Sequence, residues 1–194
     1  MRTPLALAVY AAVIAGASIG TATVGASLAA SALTALPRAA LPGAGVAKTS
    51  IGQSSEAAGI ETSHPAEYYK LAARLFAAGK KDEAVFWMYA GQIRFRAYLA
   101  THPDLARDAE PALFASLSES VGRPINEYAF GNIPSLAETL DRVLAWDRAH
   151  ADPFSPKGGA RDRVVDGLRK MKLDIVATAD DIRANRARNG LANR

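Results

Sequence analysis

Ala84 to Gly91 reads AVFWMYAG, eight consecutive residues without a charge and with an apolar or aromatic side chain at nearly every position. Asp82 precedes the run, and helix-compatible residues carry it on to Leu99. A helix that is apolar on all sides has no face to offer water, so it must be surrounded. The segment therefore predicts a central rod with other elements packed around it. Its neighbours have helical patterning too, and no segment alternates as a half-buried strand does. The predicted fold class is all-α: a compact helical bundle of about five to six helices, preceded by an N-terminal signal or anchor helix.

Around the rod, start and stop signals divide the chain. Ser63-His-Pro-Ala places Pro65 at a first helical position. Tyr68, Leu71, Ala72, Leu75 and Phe76 follow helical spacing, and Gly79 ends the helix as a left-handed cap does. A third helix is expected from Thr101-His-Pro-Asp104, split at Pro111 and stopped by Gly122-Arg-Pro124. Pro124–Phe130 reads as a short helical turn closed by Gly131. Ser135 and Glu138 have capping-box spacing and open a helix that ends near His150. Residues 151–159 form a loop. A last helix, from about Arg161 to Asn189, carries a stripe of Val164, Leu168, Met171, Ile175 and Ile182.

The first two helices place Tyr68, Leu71, Ala72, Leu75, Ala84, Met88 and Gly91 at steps that resemble a single tetratricopeptide (TPR) unit, over Ala66 to Arg96. Small Ala72, Ala84 and Gly91 let two helix backbones approach. The resemblance implies a helical hairpin and, by analogy, binding of a peptide or protein.

The N-terminus differs from the rest. No charged side chain occurs from Thr3 to Pro37, after Met1-Arg2. An apolar stretch, Leu5 to Ile19, is followed by small-x-small sequences at Val24–Ala26 and Ala30–Ala32, the pattern of a secretory signal. The same run is long enough for an uncleaved membrane anchor, and Gly16 and Gly20 have a spacing that packs membrane helices. Residues 1–32 are thus expected to be a signal peptide or membrane anchor, residues 33–62 a flexible linker rich in Ala, Gly, Pro and Ser, and residues 63–194 the helical domain. Both readings of the first segment place the domain outside the cytoplasm: periplasmic or secreted after cleavage, tethered to the inner membrane through residues 4–32 without it. Gly16-Ala-Ser-Ile-Gly20 also matches a hydrolase GxSxG pattern, but without the strand and helix that the motif requires.

Composition narrows the chemistry. The 194 residues contain no cysteine, which excludes disulfide scaffolds, thiolate metal sites and thiol nucleophiles. The net charge is +4, but only two of the 23 basic residues precede Lys48, and the remainder is nearly balanced against 19 acids. Binding nucleic acid needs a clustered basic face, so nucleic acid is an improbable partner. Arg183, Arg186, Arg188 and Arg194 cluster at the end, where cations complement a helix dipole or meet an anionic partner. His64, His102 and His150 lack paired metal-ligand spacing. No metal, cofactor or catalytic residue is predicted.

Two arginines stand out. No acid occurs between Glu83 and Asp104, so Arg94 and Arg96 have no carboxylate one helical turn away. At least one must reach a distant acid, a carbonyl or a ligand, because an unpaired buried charge is costly. Glu127 is the leading candidate, in a structural clamp; an anion or protein ligand is the alternative. The Gly122–Pro134 stretch adds Arg123, Asn126, Glu127 and Tyr128, a polar surface with an aromatic anchor that suits either recognition or a tightly self-bonded connection. Arg94, Arg96, Arg123, Asn126, Glu127 and Tyr128 are the candidate binding residues. The expected function is an exported, non-enzymatic helical protein that binds another protein, as an envelope adaptor or a toxin-neutralising immunity protein does. The alternatives are a membrane-tethered structural module, or an enzyme whose pocket unites Glu83, Arg94 and Glu127.

Overall fold

A computed structural model describes residues 55–194; the signal or anchor reading of residues 1–32 falls outside them. Every regular element among the described residues is helical. The first helix, α1, is Pro65–Ala77, and α2 is the long central Lys81–Thr101. Then come α3 (Glu110–Leu117), a π turn (Ser118–Gly122) and α4 (Arg123–Ala129). The chain ends with α5 (Ile133–Ala149), α6 (Gly159–Ala177) and α7 (Ala179–Arg188). No helix among them is long and apolar enough to cross a membrane.

The rod lies where its composition requires. Every residue from Ala84 to Phe95 is buried, Trp87 and Met88 included. Such coverage needs neighbours on all sides, and α1, α3, α4, α5 and α6 all pack against α2. Edge-to-face contacts tie Trp87 to Phe86 and Trp146, with ring centroids 4.9 and 5.4 Å apart. Aromatic pairs of this geometry add about 0.5–1.5 kcal/mol each beyond area burial.

α1 and α2 form the expected hairpin. Gly79 has φ +80°, Lys80 N donates to Leu75 O and Gly79 N to Phe76 O, so the helix closes in a Schellman motif. The two helices come close at Gly91. A Cβ added there would lie 2.6 Å from Tyr68 Cβ and 3.2 Å from Tyr69 Cδ2.

Several boundaries depart from the sequence expectation. Residues 55–62 pack with the helical domain and do not read as free linker: Ser55–Ala57 and Ile60–Thr62 are short 3₁₀ turns, and Ala57 and Ile60 are buried against the core. Thr101 does not cap a following helix; its hydroxyl donates back to Ala97 O (2.9 Å) and closes α2. Turns then run to Glu110, and Pro111 sits in the first turn of α3, where it opens the helix and does not split one. Pro124 does not stop the chain. The π turn carries the helix into α4, where Pro124 sits in the first turn and its missing N–H costs little. α5 is capped by Asn132, whose Oδ1 accepts from Ser135 N at 3.1 Å, and not by Ser135 itself. The last helix is interrupted at Thr178, although its apolar stripe continues through Ile182.

The terminal arginines are mostly used within the chain. Arg183 pairs with Asp180 and Arg186 donates to Ala192 O, both at 2.8 Å. Arg194 lies over the Tyr128 ring, 3.5 Å from its centroid, and its backbone N donates to Gly131 O.

Candidate functional site

A buried network of charged side chains sits at the end of α5. Arg94 is 1% exposed. Its Nη1 donates to Glu61 O (2.8 Å) and Ala151 O (3.1 Å), and its Nη2 to His150 O (3.0 Å). Its Nε lies 3.4 Å from Asp147 Oδ1, and its guanidinium covers Trp146, 4.5 Å from the ring centroid. The carbonyls of residues 150 and 151 lie just beyond the helix, where backbone acceptors lack intrahelical partners and a cation complements the dipole. Arg94 thus caps the C-terminus of α5 from inside the protein.

Asp147 serves a second arginine. Arg161, on α6, donates from Nη2 to both Asp147 oxygens, at 2.8 and 2.7 Å. Its Nη1 donates to Asp152, which accepts from Phe154 N as well. Two guanidinium and two carboxylate groups therefore form a buried network of zero net formal charge. Buried ions are tolerated when paired and hydrogen-bonded; here side chains from α2, α5 and α6 and the loop between the last two pair every charge, with Arg94 Nε held by its ion pair alone and without a hydrogen bond among the described residues.

A cleft of about 480 Å³ opens over the network, between the end of α5, the 150–158 loop and the start of α6. Arg161 and Asp147 form part of its floor. Ser155 also lines it; the residue is 1% exposed and its Oγ has no hydrogen-bond partner. Arg148, Lys157 and Asp162 stand at the exposed rim without an ion-pair partner among the described residues. His150 stacks on Trp146, with ring centroids 4.6 Å apart. Its Nδ1 lies 2.8 Å from the Trp146 carbonyl, which can only accept, so Nδ1 carries the hydrogen.

The sequence-predicted residues do not converge on this cleft. Arg94 lies behind its floor, held by Asp147 and not by Glu127. Glu127 is exposed on α4. Glu83 is eleven residues before Arg94 on α2, about 16 Å along the axis. The three groups proposed for an enzyme pocket are therefore not assembled. Asn126 is interior, 1% exposed, and accepts the Tyr89 hydroxyl at 2.8 Å. Tyr89→Phe strands that acceptor, and a loss of about 1–2 kcal/mol is expected, read as a lower midpoint in urea. Arg123 is exposed and paired with Glu119. Tyr128 is half-buried, donates to Asp82 Oδ1 at 3.0 Å, and has Lys81 5.2 Å from its ring centroid. Burial, reinforced by Asp82, pushes its pKa up.

Arg96 differs from Arg94 in kind. It is partly buried, its Nε is sealed from solvent, and its guanidinium lies 5.7 Å from the Phe114 ring centroid. It makes no hydrogen bond or ion pair among the described residues, and burial pulls its pKa down.

The three histidines are engaged within the fold, and His64 Nε2 lies 3.5 Å from Glu110 Oε2 on α3. His64 accepts from Ala66 N at the start of α1, and His102 Nδ1 lies 2.9 Å from Tyr98 O at the end of α2. No cluster of His, Asp or Glu among the described residues could hold a metal ion.

Sequence reasoning missed Asp147, Asp152, Arg161 and Ser155. One signal was available: Asp147 and Arg161 flank the loop that separates two amphipathic helices, so antiparallel packing would bring them near each other.

No family model matches the chain, and no solved structure matches it. A curated relative, an uncharacterized protein of Haemophilus influenzae, is 34% identical over 86 residues, which is 44% of this chain and 33% of that protein. The chain thus spans about a third of that relative's length.

Proposed function

We propose that the chain is an exported, non-enzymatic helical protein that binds another protein, with the α5–α6 cleft as the contact site. The observation that carries this reading is the division of charge at the cleft. The floor is neutralised by the chain's own residues, whereas at the rim Arg148, Lys157 and Asp162 have no ion-pair partner among the described residues. Unpaired charges of both signs around a concave surface suit a polypeptide segment that brings complementary charges and fixes register. The TPR-like spacing of α1 and α2 supports the same class of partner by analogy. The signal pattern in residues 1–32 supports a place outside the cytoplasm, for an envelope adaptor or an immunity protein.

The experiment is native co-purification of the chain from its own envelope fraction, compared with Arg148→Glu/Lys157→Glu. Both side chains are exposed, so the fold should survive, as circular dichroism will check. One defined partner is expected with the wild type, its affinity falling at least about tenfold in the variant. A partner retained equally by both proteins rules out the cleft, and the absence of any partner rules out the function. Intact mass of the recovered chain then separates cleavage within residues 24–32 from retention as a tether.

A further inference from the structure

The α5–α6 cleft meets the start of α6, and that helix end is bare. Gly158 at the N-cap has no side chain to offer it. The first intrahelical bond runs from Asp162 N to Gly158 O, so the N–H groups of Gly159, Ala160 and Arg161 have no acceptor inside the helix. With the helix dipole behind them, such groups favour an anion. Gly158 has φ +151° and ψ 176°, a conformation kept for glycine. A Cβ there would meet nothing within 4 Å, so the space beside the N-cap is open.

A helix end by itself selects no ligand. Here it adjoins Ser155, a wall of the same cleft, which is buried and whose Oγ has no hydrogen-bond partner in the protein. A buried hydroxyl left in that state costs stability unless a group from outside the chain engages it. The charges nearby are uneven. Lys157 immediately precedes Gly158, and Arg163 reaches back, its Nη1 3.6 Å from where a Cβ on Gly159 would stand. Both are exposed, and neither they nor Arg148 across the cleft has an ion-pair partner among the described residues. Arg161 is already neutralised by Asp147 and Asp152, and Arg169 pairs with Asp166. Among the acids lining the cleft, that leaves Asp162 alone to oppose three cations.

We propose that the first turn of α6, with Ser155, Lys157 and Arg163, binds an oxyanion, a carboxylate or phosphate group carried by the polypeptide that occupies the cleft. Both groups accept charge-assisted hydrogen bonds from backbone N–H, hydroxyl, ammonium and guanidinium donors, the four kinds present here. The identity of the carrier rests on the cleft being the contact site for a protein; the place of the anion does not.

The test is an NMR titration of the full chain, following the amide resonances of Gly159 and Ala160, with inorganic phosphate and, separately, sodium acetate, ionic strength being held constant by chloride. A saturable shift is expected with at least one of them. Saturation by phosphate alone assigns a phosphate group, by acetate alone a carboxylate, and by both the shared oxyanion chemistry. Ser155→Ala and Arg163→Gln are each expected to weaken the apparent affinity roughly tenfold. Ser155→Ala should also leave the thermal midpoint of the anion-free chain unchanged or higher, because its hydroxyl has no partner to lose; a lowered midpoint would make the serine structural and overturn the proposal. Absence of saturation with either anion overturns it as well, and so does equal affinity in wild type and both variants. Saturation in a chain that co-purifies with no partner upholds the anion site and sinks only the contact reading, whereas a partner without saturation sinks only the anion site.

Discussion

Asp147→Ala is expected to destabilise the domain by about 3–5 kcal/mol, because it leaves two buried guanidinium groups short of their common carboxylate. Arg161 would keep Asp152, and Arg94 would keep three carbonyls. Neither set restores charge balance: two cations would face one anion. Domains of this size are stable by only about 5–15 kcal/mol, so the variant should unfold at a much lower urea concentration. Asp147→Asn preserves size and one acceptor while removing the charge, and most of the same loss is expected. An Asp147→Ala variant within about 1 kcal/mol of wild type would refute the electrostatic account of this network.

Gly91→Ala is the second large effect, and its direction runs against helix propensity. In an isolated helix alanine is better than glycine by about 1 kcal/mol. Here the new methyl would stand 2.6 Å from Tyr68 Cβ, an atom fixed to the α1 backbone that cannot rotate away. The helices must part, and overpacking of this type costs about 1–3 kcal/mol. The net expectation is a destabilised protein, seen as a lower thermal midpoint. A more stable variant would show that the close approach of α1 and α2 is not enforced by the packing around it.

These two residues show how unequally the molecule could be read in advance. Gly91 was legible: a small residue inside a greasy rod, at repeat-like spacing from Ala84, is an invitation to close contact. The rod itself was legible because an uncharged helix has only one place to go. The need of Arg94 for a remote partner was legible too, since the chain offers no acid within reach on α2. Its choice of Asp147 was not. Local spacing ties Asp147 to His150, and nothing in one dimension says that α5 ends against the middle of α2. Boundaries failed for a related reason. Thr101 can cap the helix after it or close the one before it, and Pro124 reads as a stop unless a π turn intervenes. Thr178 interrupts a stripe whose apolar period never falters, so only the backbone reveals the break.

The hydrogen bond from Arg94 to Glu61 O has a mechanical meaning. The segment just ahead of α1 is held by the buried side chains of Ala57 and Ile60 and, at Glu61 O, by a guanidinium that simultaneously grips the end of α5. Tension entering along this path loads the centre of the domain in shear before it can peel α1 away like the edge of a tape. A body hung from its own N-terminal strap in this way would resist being tugged open from that side.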